Sequence, residues 1–167
     1  MTGSDNKNYP LFCQFCGSKE VERNLKEISF TCRQCRRKVF LNSKPAVGAV
    51  IIHDHKVLLV RSHGRKSWDF PGGFLVYGES PEEGLKRELK EELAAEIKIE
   101  DLVEAKVDVY GKYNDFSLNL FYKVTLVSSE IRPTSEIEEY GWFDIDHCPA
   151  IAFKSTVEVL LTIKQLI

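Results

Sequence analysis

The chain has 167 residues, 43% of them hydrophobic and 29% charged, with a formal net charge of −2 at pH 7. That length fits one ordinary domain, or one domain with a small appendage, and the apolar content suffices to bury a core. Bulk charge so near neutrality gives no sign of a nucleic-acid or membrane partner, and no apolar run approaches the roughly 18 residues of a membrane span. The charge is unevenly placed, however. Residues 1–45 hold nine Lys/Arg against four Asp/Glu, and residues 46–167 hold 14 against 21, which suggests two modules with different surfaces.

Residues 1–10, MTGSDNKNYP, are polar and lack the apolar run of a signal peptide, so a loose tail and a cytoplasmic protein are expected. Residues 11–45 hold four of the five cysteines, as CQFC (Cys13, Cys16) and CRQC (Cys32, Cys35), with 15 residues between the pairs. A doubled C-x2-C at that spacing, in a reducing compartment, points to a tetrahedral zinc site in which each pair turns tightly to present two thiolates. Gly17 suits such a turn because it tolerates unusual backbone angles. A segment this short cannot build a sufficient core, so a metal would staple it. Two disulfides or a redox pair are the alternatives. The basic run RQCRRK, Arg33 to Lys38, raises nucleic-acid or protein binding against the plainer reading of a structural or dimerisation element. Cys148 stands alone and is expected to be a free, partly buried thiol.

Pro45 marks a change of texture, and residues 46–167 read as the main domain. VGAVIIHDHKVLLVR (47–61) predicts a hairpin of two apolar strands turning near Asp54 and His55. SWDFPGGFLVYGES (67–80) reads as a loop. SPEEGLKRELKEEL (80–93) is the clearest helix, with Ser80 as N-cap, Pro81 at the first helical position and Glu83 completing a capping box. VEAKVDVY and SLNLFYKVTLV, within 103–127, predict two strands separated by a turn at GKYND, and YGWFDI (140–145) predicts another. KSTVEVLLTIKQLI predicts a terminal amphipathic helix, with apolar residues at 157, 160, 161 and 167. His53, His55, His63 and His147 lie in polar, turn-like stretches and are given no role.

The helix at 80–93 carries an unusual charge pattern. At 100° per residue Leu85, Leu89 and Leu93 share the stripe that faces a core. Glu88, Glu91 and Glu92 lie on the adjacent flank with the small residues Gly84 and Ala95, while Glu83, Lys86 and Lys90 face water. Like charges at such spacings destabilise a helix by roughly 0.2–0.5 kcal/mol per pair. An ordinary solvated face would alternate signs. Something positive has to compensate, and Mg²⁺ favours carboxylate oxygens while keeping open positions for water and phosphate.

Gly73, Glu79 and the run Arg87, Glu88, Leu89, Glu91, Glu92 stand in the spacing G-x5-E-x7-R-E-U-x-E-E-x-G-U, where U is aliphatic. This resembles the Nudix box, and the wider resemblance covers about residues 46–167. One position departs: Ala94 stands where the family has glycine, which puts the turn after the helix in question but removes no ligand. The resemblance implies an α/β fold, an α/β/α sandwich around a mixed sheet, and hydrolysis of a nucleoside diphosphate linked to another moiety. It implies Mg²⁺ (or Mn²⁺) held by Glu88, Glu91, Glu92 and the carbonyl of Gly72, with Arg87 and Glu79 orienting the carboxylates. A general base outside the box is implied as well. Glu136, Glu138 and Glu139 are the candidates, and Glu139 is preferred.

A four-cysteine ribbon ahead of such a domain is similar to two groups, the NADH pyrophosphatases and the zinc-ribbon FAD and ADP-ribose pyrophosphatases. The first carries a signature of the form S-Q-P-W-P-F-P-x-S after the box, which is missing here. AIAFKST (150–156) resembles a short segment of the second. ADP-ribose or FAD is therefore the expected substrate, a small-molecule nucleotide, with Zn²⁺ in the ribbon and a homodimer left open. Tyr77, Tyr110, Tyr113, Phe116 and Phe153 could stack a base, although each is as well explained as a packing residue. A non-catalytic nucleotide-sugar sensor is the other class, disfavoured because such modules lose box acids.

Overall fold

The computed structural model describes residues 9–111, 115–127 and 130–165. Residues 1–8 of the expected tail, 112–114 of the GKYND turn (Tyr113 among them) and Ile167 lie outside the described residues. The chain divides into two compact units, Met1–Ser43 with Tyr110–Asp115, and Lys44–Val109 with Phe116–Ile167.

The first unit holds an antiparallel sheet of β1 (Val21–Asn24), β2 (Ser29–Cys32) and β3 (Lys38–Phe40), in that order. Two tight turns flank it. Gly17 N–H donates to Cys13 O at 2.8 Å, and Arg36 N–H donates to Cys32 O at 2.9 Å. Each turn closes on a left-handed residue four positions after its first cysteine, Gly17 at φ 73° and Arg36 at φ 60°. The unusual angle expected at Gly17 is present, and the second turn imposes the same angle on an arginine.

In the second unit β4 (Lys44–Val50), β5 (Ile52–His53) and β6 (Lys56–Ser62) are followed by β7 (Gly72–Phe74) and α1 (Pro81–Leu93). Next come β8 (Ile97–Tyr110), β9 (Asp115–Leu126), β10 (Ile137–Asp144), a single 3-10 turn and α2 (Lys154–Lys164). One sheet runs β7-β4-β9-β8 and is mixed, with β4 parallel to β9 and antiparallel to β7. The other runs β10-β6-β5. Side chains alternate across these strands. Val47, Ala49 and Ile51, with Leu58, Val60, Tyr122 and Val124, pack on Leu85, Leu89 and Leu93 of α1. Val50, Val57, Leu59 and Phe121 pack on Val159, Leu160 and Ile163 of α2. Helices thus cover opposite faces of the sheet layer, and the expected α/β/α sandwich is present.

Four local expectations need correction. The hairpin turn falls at Asp54 (φ 46°) and His55 (φ 61°), two positive angles that match the twist of a two-residue hairpin. Its first strand is only Ile52–His53, however, because residues up to Val50 leave to pair with β9. The stretch read as a loop contains β7, where Val47 opposes Gly73. Strand β8 begins at Ile97, well before 103. On α2 the buried face is Ser155, Thr156, Val159, Leu160 and Ile163, while Val157 and Leu161 are exposed. The two buried hydroxyl residues are accommodated by acids: Thr156 Oγ1 donates to Asp69 Oδ1 at 2.5 Å, and Ser155 N–H donates to Asp108 Oδ2 at 2.8 Å.

Helix α1 forms as its sequence predicts. Ser80 Oγ accepts from Glu83 N at 3.2 Å, Glu83 Oε2 accepts from Ser80 N at 2.9 Å, and Pro81 opens the helix. Its end explains the departure at Ala94, which adopts the left-handed angles φ 50° and ψ 30° that a glycine takes without strain. The turn is made despite the methyl group. That conformation costs an L-residue about 1–2 kcal/mol, while glycine loses about 0.4–1 kcal/mol through the freedom of its unfolded chain. Ala94→Gly is therefore expected to raise stability by roughly 0.5–1 kcal/mol, read as a higher urea midpoint at unchanged slope.

Candidate functional site

The carboxylate flank of α1 lies against the Gly72–Gly73 turn of β7. Glu88 and Glu92 are buried, at 9% and 7% exposure, whereas the Glu91 side chain is 48% exposed. Gly72 N–H donates to Glu92 Oε2 at 2.8 Å. Both glycines are dictated by space. A Cβ on Gly73 would stand 2.6 Å from the Glu88 carboxylate, and one on Gly72 would stand 2.1 Å from Val47 O.

Arg87 organises the acids. Its Nε and Nη2 bind the two oxygens of Glu79 at 2.8 and 3.0 Å, and its Nη1 binds Glu88 Oε1 and Glu91 Oε2, each at 2.8 Å. Nη2 also donates to Phe74 O at 3.0 Å. Glu79 in turn accepts from Val76 N–H at 3.0 Å. On the helical flank of the three glutamates the sequence places no cation, since Lys86 and Lys90 face water, but Arg87 folds across two of them. Glu92 is left with the Gly72 amide alone among the described residues.

That isolation shows in its acidity. Burial pushes Glu92 up to about 8, against the pull of the Gly72 amide, with the charges of Glu88, Glu136 and Asp69 adding to the rise. Glu88 is also raised by burial, against Arg87. Unfolded, the Glu92 carboxyl ionises near 4.5; folded and free of metal it keeps its proton to about 8. Between those values the native chain holds a proton that the unfolded chain has shed, so stability falls as pH rises through that window. The expected result without divalent ions is a melting temperature that declines from pH 5 to 8, with a flatter decline in Glu92→Gln. Mg²⁺ should raise the melting temperature more at pH 8 than at pH 6. Thermal scans across pH, with and without Mg²⁺, check this.

The loop before β10 brings a further acid to the site. Arg132 N–H donates to Leu93 O at 2.8 Å and Thr134 N–H to Glu92 O at 2.9 Å, and the Thr134 hydroxyl bonds Glu91 O. These bonds cap the C-terminal carbonyls of α1. They set Glu136 where its charge raises both Glu88 and Glu92. Glu138 and Glu139 are both paired with Arg61, whose Nη1 donates to Glu138 at 2.9 Å and Nη2 to Glu139 at 2.8 Å. Thr134 and Arg132 carry no sequence signal, since they act through backbone groups. Asp69 was likewise not singled out. It sits beneath Thr156, and burial pushes it up to about 6. Of the aromatic candidates, Tyr77 is fully exposed, Phe116 is half-exposed and Phe153 lies under Arg65.

The four ribbon cysteines converge. Sγ atoms of Cys13 and Cys35 are 3.7 Å apart, those of Cys16 and Cys32 are 3.6 Å apart, and all four lie within 4.8 Å of one another. A tetrahedral zinc with Zn–S bonds of about 2.3 Å has sulfur–sulfur edges of about 3.8 Å, whereas a disulfide needs about 2.05 Å. The donor set therefore fits zinc, and the cysteines are free. Without a metal the thiols share their charge unevenly: the Phe15 amide holds Cys13 down to about 7, while, against the pull of the Ser18 amide, burial and the neighbouring cysteine thiols push Cys16 up to about 12. Cys148 is a free, partly buried thiol as expected. A second grouping, His55 with Asp144 and Asp146, is exposed and already engaged by His147 and Lys164 at 3.3 Å each.

Fold and carboxylate helix together define the class of pyrophosphohydrolases that act on nucleoside diphosphate derivatives with divalent metal. The chain belongs to the NUDIX family, whose domain matches residues 42–160. It is 25% identical over 119 residues to an ADP-ribose pyrophosphatase of Methanocaldococcus jannaschii, covering 70% of each chain. It is 28% identical over 152 residues to the NAD-capped RNA hydrolase NudC of Pseudomonas aeruginosa, covering 87% of this chain but only 52% of that protein. The chain thus spans about half the length of that relative. A solved NUDIX hydrolase from Nitrosomonas europaea superposes with a TM-score of 0.68 at 26% identity, covering 89% and 87% of the two chains.

Proposed function

We propose that this protein hydrolyses the diphosphate linkage of ADP-ribose or FAD, giving AMP plus ribose 5-phosphate or FMN. The observation that carries the reading is the carboxylate flank of α1, where Glu88 and Glu92 are buried side by side and Glu92 has no cation partner among the described residues. Glu88, Glu91, Glu92 and the Gly72 carbonyl would hold Mg²⁺ or Mn²⁺. When bound, the ion offsets the diphosphate's charge and lowers the pKa of a coordinated water. Arg87 and Glu79 keep the carboxylates aligned. Zinc in the ribbon is structural, because four thiolates leave no open position. Among the described residues no helix is long and apolar enough to cross a membrane. The reading keeps a cytoplasmic enzyme, where thiols stay reduced, and leaves a homodimer open.

The general base moves from Glu139 to Glu136 in this reading. Glu139 is committed to Arg61, while the charge of Glu136 acts on both buried box acids. Glu136→Gln should lower kcat by about 10²-fold, and Glu139→Gln should leave it nearly unchanged. Steady-state rates of the two variants decide the assignment.

A second reading, the NADH pyrophosphatase type, is favoured by one observation. The match to NudC covers 87% of the chain, more than the hydrolytic domain alone can supply, so it runs into the ribbon. A panel of FAD, ADP-ribose, NADH and 8-oxo-dGTP at equal concentration separates the two. Selectivity from one contact is only about 10–200-fold, so preference and not exclusivity is expected. A tenfold advantage of NADH in kcat/KM over both FAD and ADP-ribose would overturn the first reading. Cleavage of the triphosphate alone would overturn both.

A further inference from the structure

The turn end of the ribbon presents a surface that neither the sulfur cluster nor the hydrolytic site uses. Arg36 and Arg37 close the second cysteine turn, and neither has a carboxylate partner among the described residues. The acids Glu22 and Glu27 are engaged by Arg33 and Lys38. The Arg37 guanidinium lies 4.4 Å over the Phe15 ring, and the Lys38 ammonium lies 4.9 Å over Phe40. Phe12, Phe15 and Phe40 are each more than half exposed, at 56%, 51% and 52%. Residues 9–43 hold seven Lys/Arg and three Asp/Glu. A zinc centre with four thiolates, of charge −2, still leaves a surplus of two positive charges.

Arg36 carries a second indication. The first cysteine turn places glycine at the corresponding position, Gly17, where the left-handed angle is free of strain. The second turn places an arginine at φ 60°, against backbone preference. Ile28 and Ala94 hold such angles too, at φ 49° and 50°, so the indication is the exposed cation that the turn keeps there and not the strain itself.

We infer that this face of the ribbon is a docking site for single-stranded nucleic acid. Exposed aromatic rings supply stacking platforms that any base can use, and unpaired cations beside them track the phosphates. Arg37 covers one face of Phe15 and the residue is still half-exposed, so a base stacking on the ring would meet a cation–π contact already in place. A duplex hides its base faces and forgoes the stacking. The function is separate from the choice of diphosphate substrate, because it needs no hydrolysis.

The test uses the full-length, zinc-loaded protein without Mg²⁺ and a fluorescein-labelled oligouridylate of about 15 nucleotides, read by anisotropy. A dissociation constant of about 10⁻⁴–10⁻⁶ M is expected, weakening as salt rises. A duplex of the same length should bind at least tenfold more weakly. Phe15→Ala should weaken binding at least fivefold, by loss of one stacked base. Arg36→Gly with Arg37→Ala, the glycine matching the left-handed angle, should lower the salt slope by about 1.4. Zinc content should stay at the wild-type level in both variants, which shows that the ribbon is folded, and ADP-ribose turnover should stay unchanged, which shows that the hydrolytic domain is intact. No rise in anisotropy up to about 100 µM protein, equal binding of duplex, or wild-type binding by the variants overturns the proposal. A shift of oligomeric state in Phe15→Ala, with RNA binding unchanged, would assign the face to a second copy of the chain instead.

Discussion

Glu92→Gln is expected to lower kcat by about 10²–10³-fold with the fold retained, the scale of losing one preorganised charge at a transition state. The side chain keeps its size and helix propensity, and a glutamine oxygen can still accept the Gly72 amide. What it loses is the negative charge. Glu88 and Glu91 cannot replace it, because both already share Arg87. Saturating Mg²⁺ should not restore the rate, since the deficit lies in the liganding oxygen and not in occupancy alone. The variant should also be slightly more stable than wild type without metal near pH 8, having no buried carboxyl to ionise. Near-normal turnover at saturating Mg²⁺ would falsify the assignment.

Cys32→Ser should abolish zinc binding. Cys32 is fully buried at the end of β2, and its sulfur lies 3.6 Å from that of Cys16. Three thiolates and a hydroxyl make a much poorer set for zinc, and structural zinc binding of this kind is worth about 10–16 kcal/mol, far more than so small a core supplies. Elemental analysis should show about one zinc per wild-type chain and almost none in the variant. Hydrolytic kcat should change much less than in Glu92→Gln. Retention of zinc, or titration that finds no free thiols in the wild type, would refute the structural role.

The contrast between α1 and its surroundings shows what the sequence can reveal. Ser80, Pro81, Glu83 and the leucines at 85, 89 and 93 act within a few residues of one another, so their pattern predicts the helix and its buried stripe directly. The four cysteines were legible for a similar reason, since ligand spacing reflects local turn geometry. The partition of residues 44–53 was not legible. Whether Val50 continues a hairpin or pairs in parallel with β9 is decided by Tyr122 and Lys123, about seventy residues away. The three-residue β7 has no period to read. On α2 the apolar pattern pointed to Val157 and Leu161. Burial of Ser155 and Thr156 depends on Asp108 and Asp69, carboxylates that local spacing cannot place. The choice among Glu136, Glu138 and Glu139 had the same origin. A bulge between Ile137 and Glu139 and the pairing of Glu138 and Glu139 with Arg61 depend on a residue 77 and 78 positions away.

Arg87 sits at the centre of the box yet has nothing left to offer a ligand. A guanidinium has five N–H donors, and five bonds to Glu79, Glu88, Glu91 and Phe74 use all of them. An incoming diphosphate cannot recruit this cation without dismantling the scaffold that shapes the carboxylates. The carboxylate flank of the box is thus rich in acceptors, and the cation that lies across it, Arg87, is withdrawn from exchange. In the proposed reaction the compensating charge would have to come from divalent ions, so the rate would follow the free concentration of those ions.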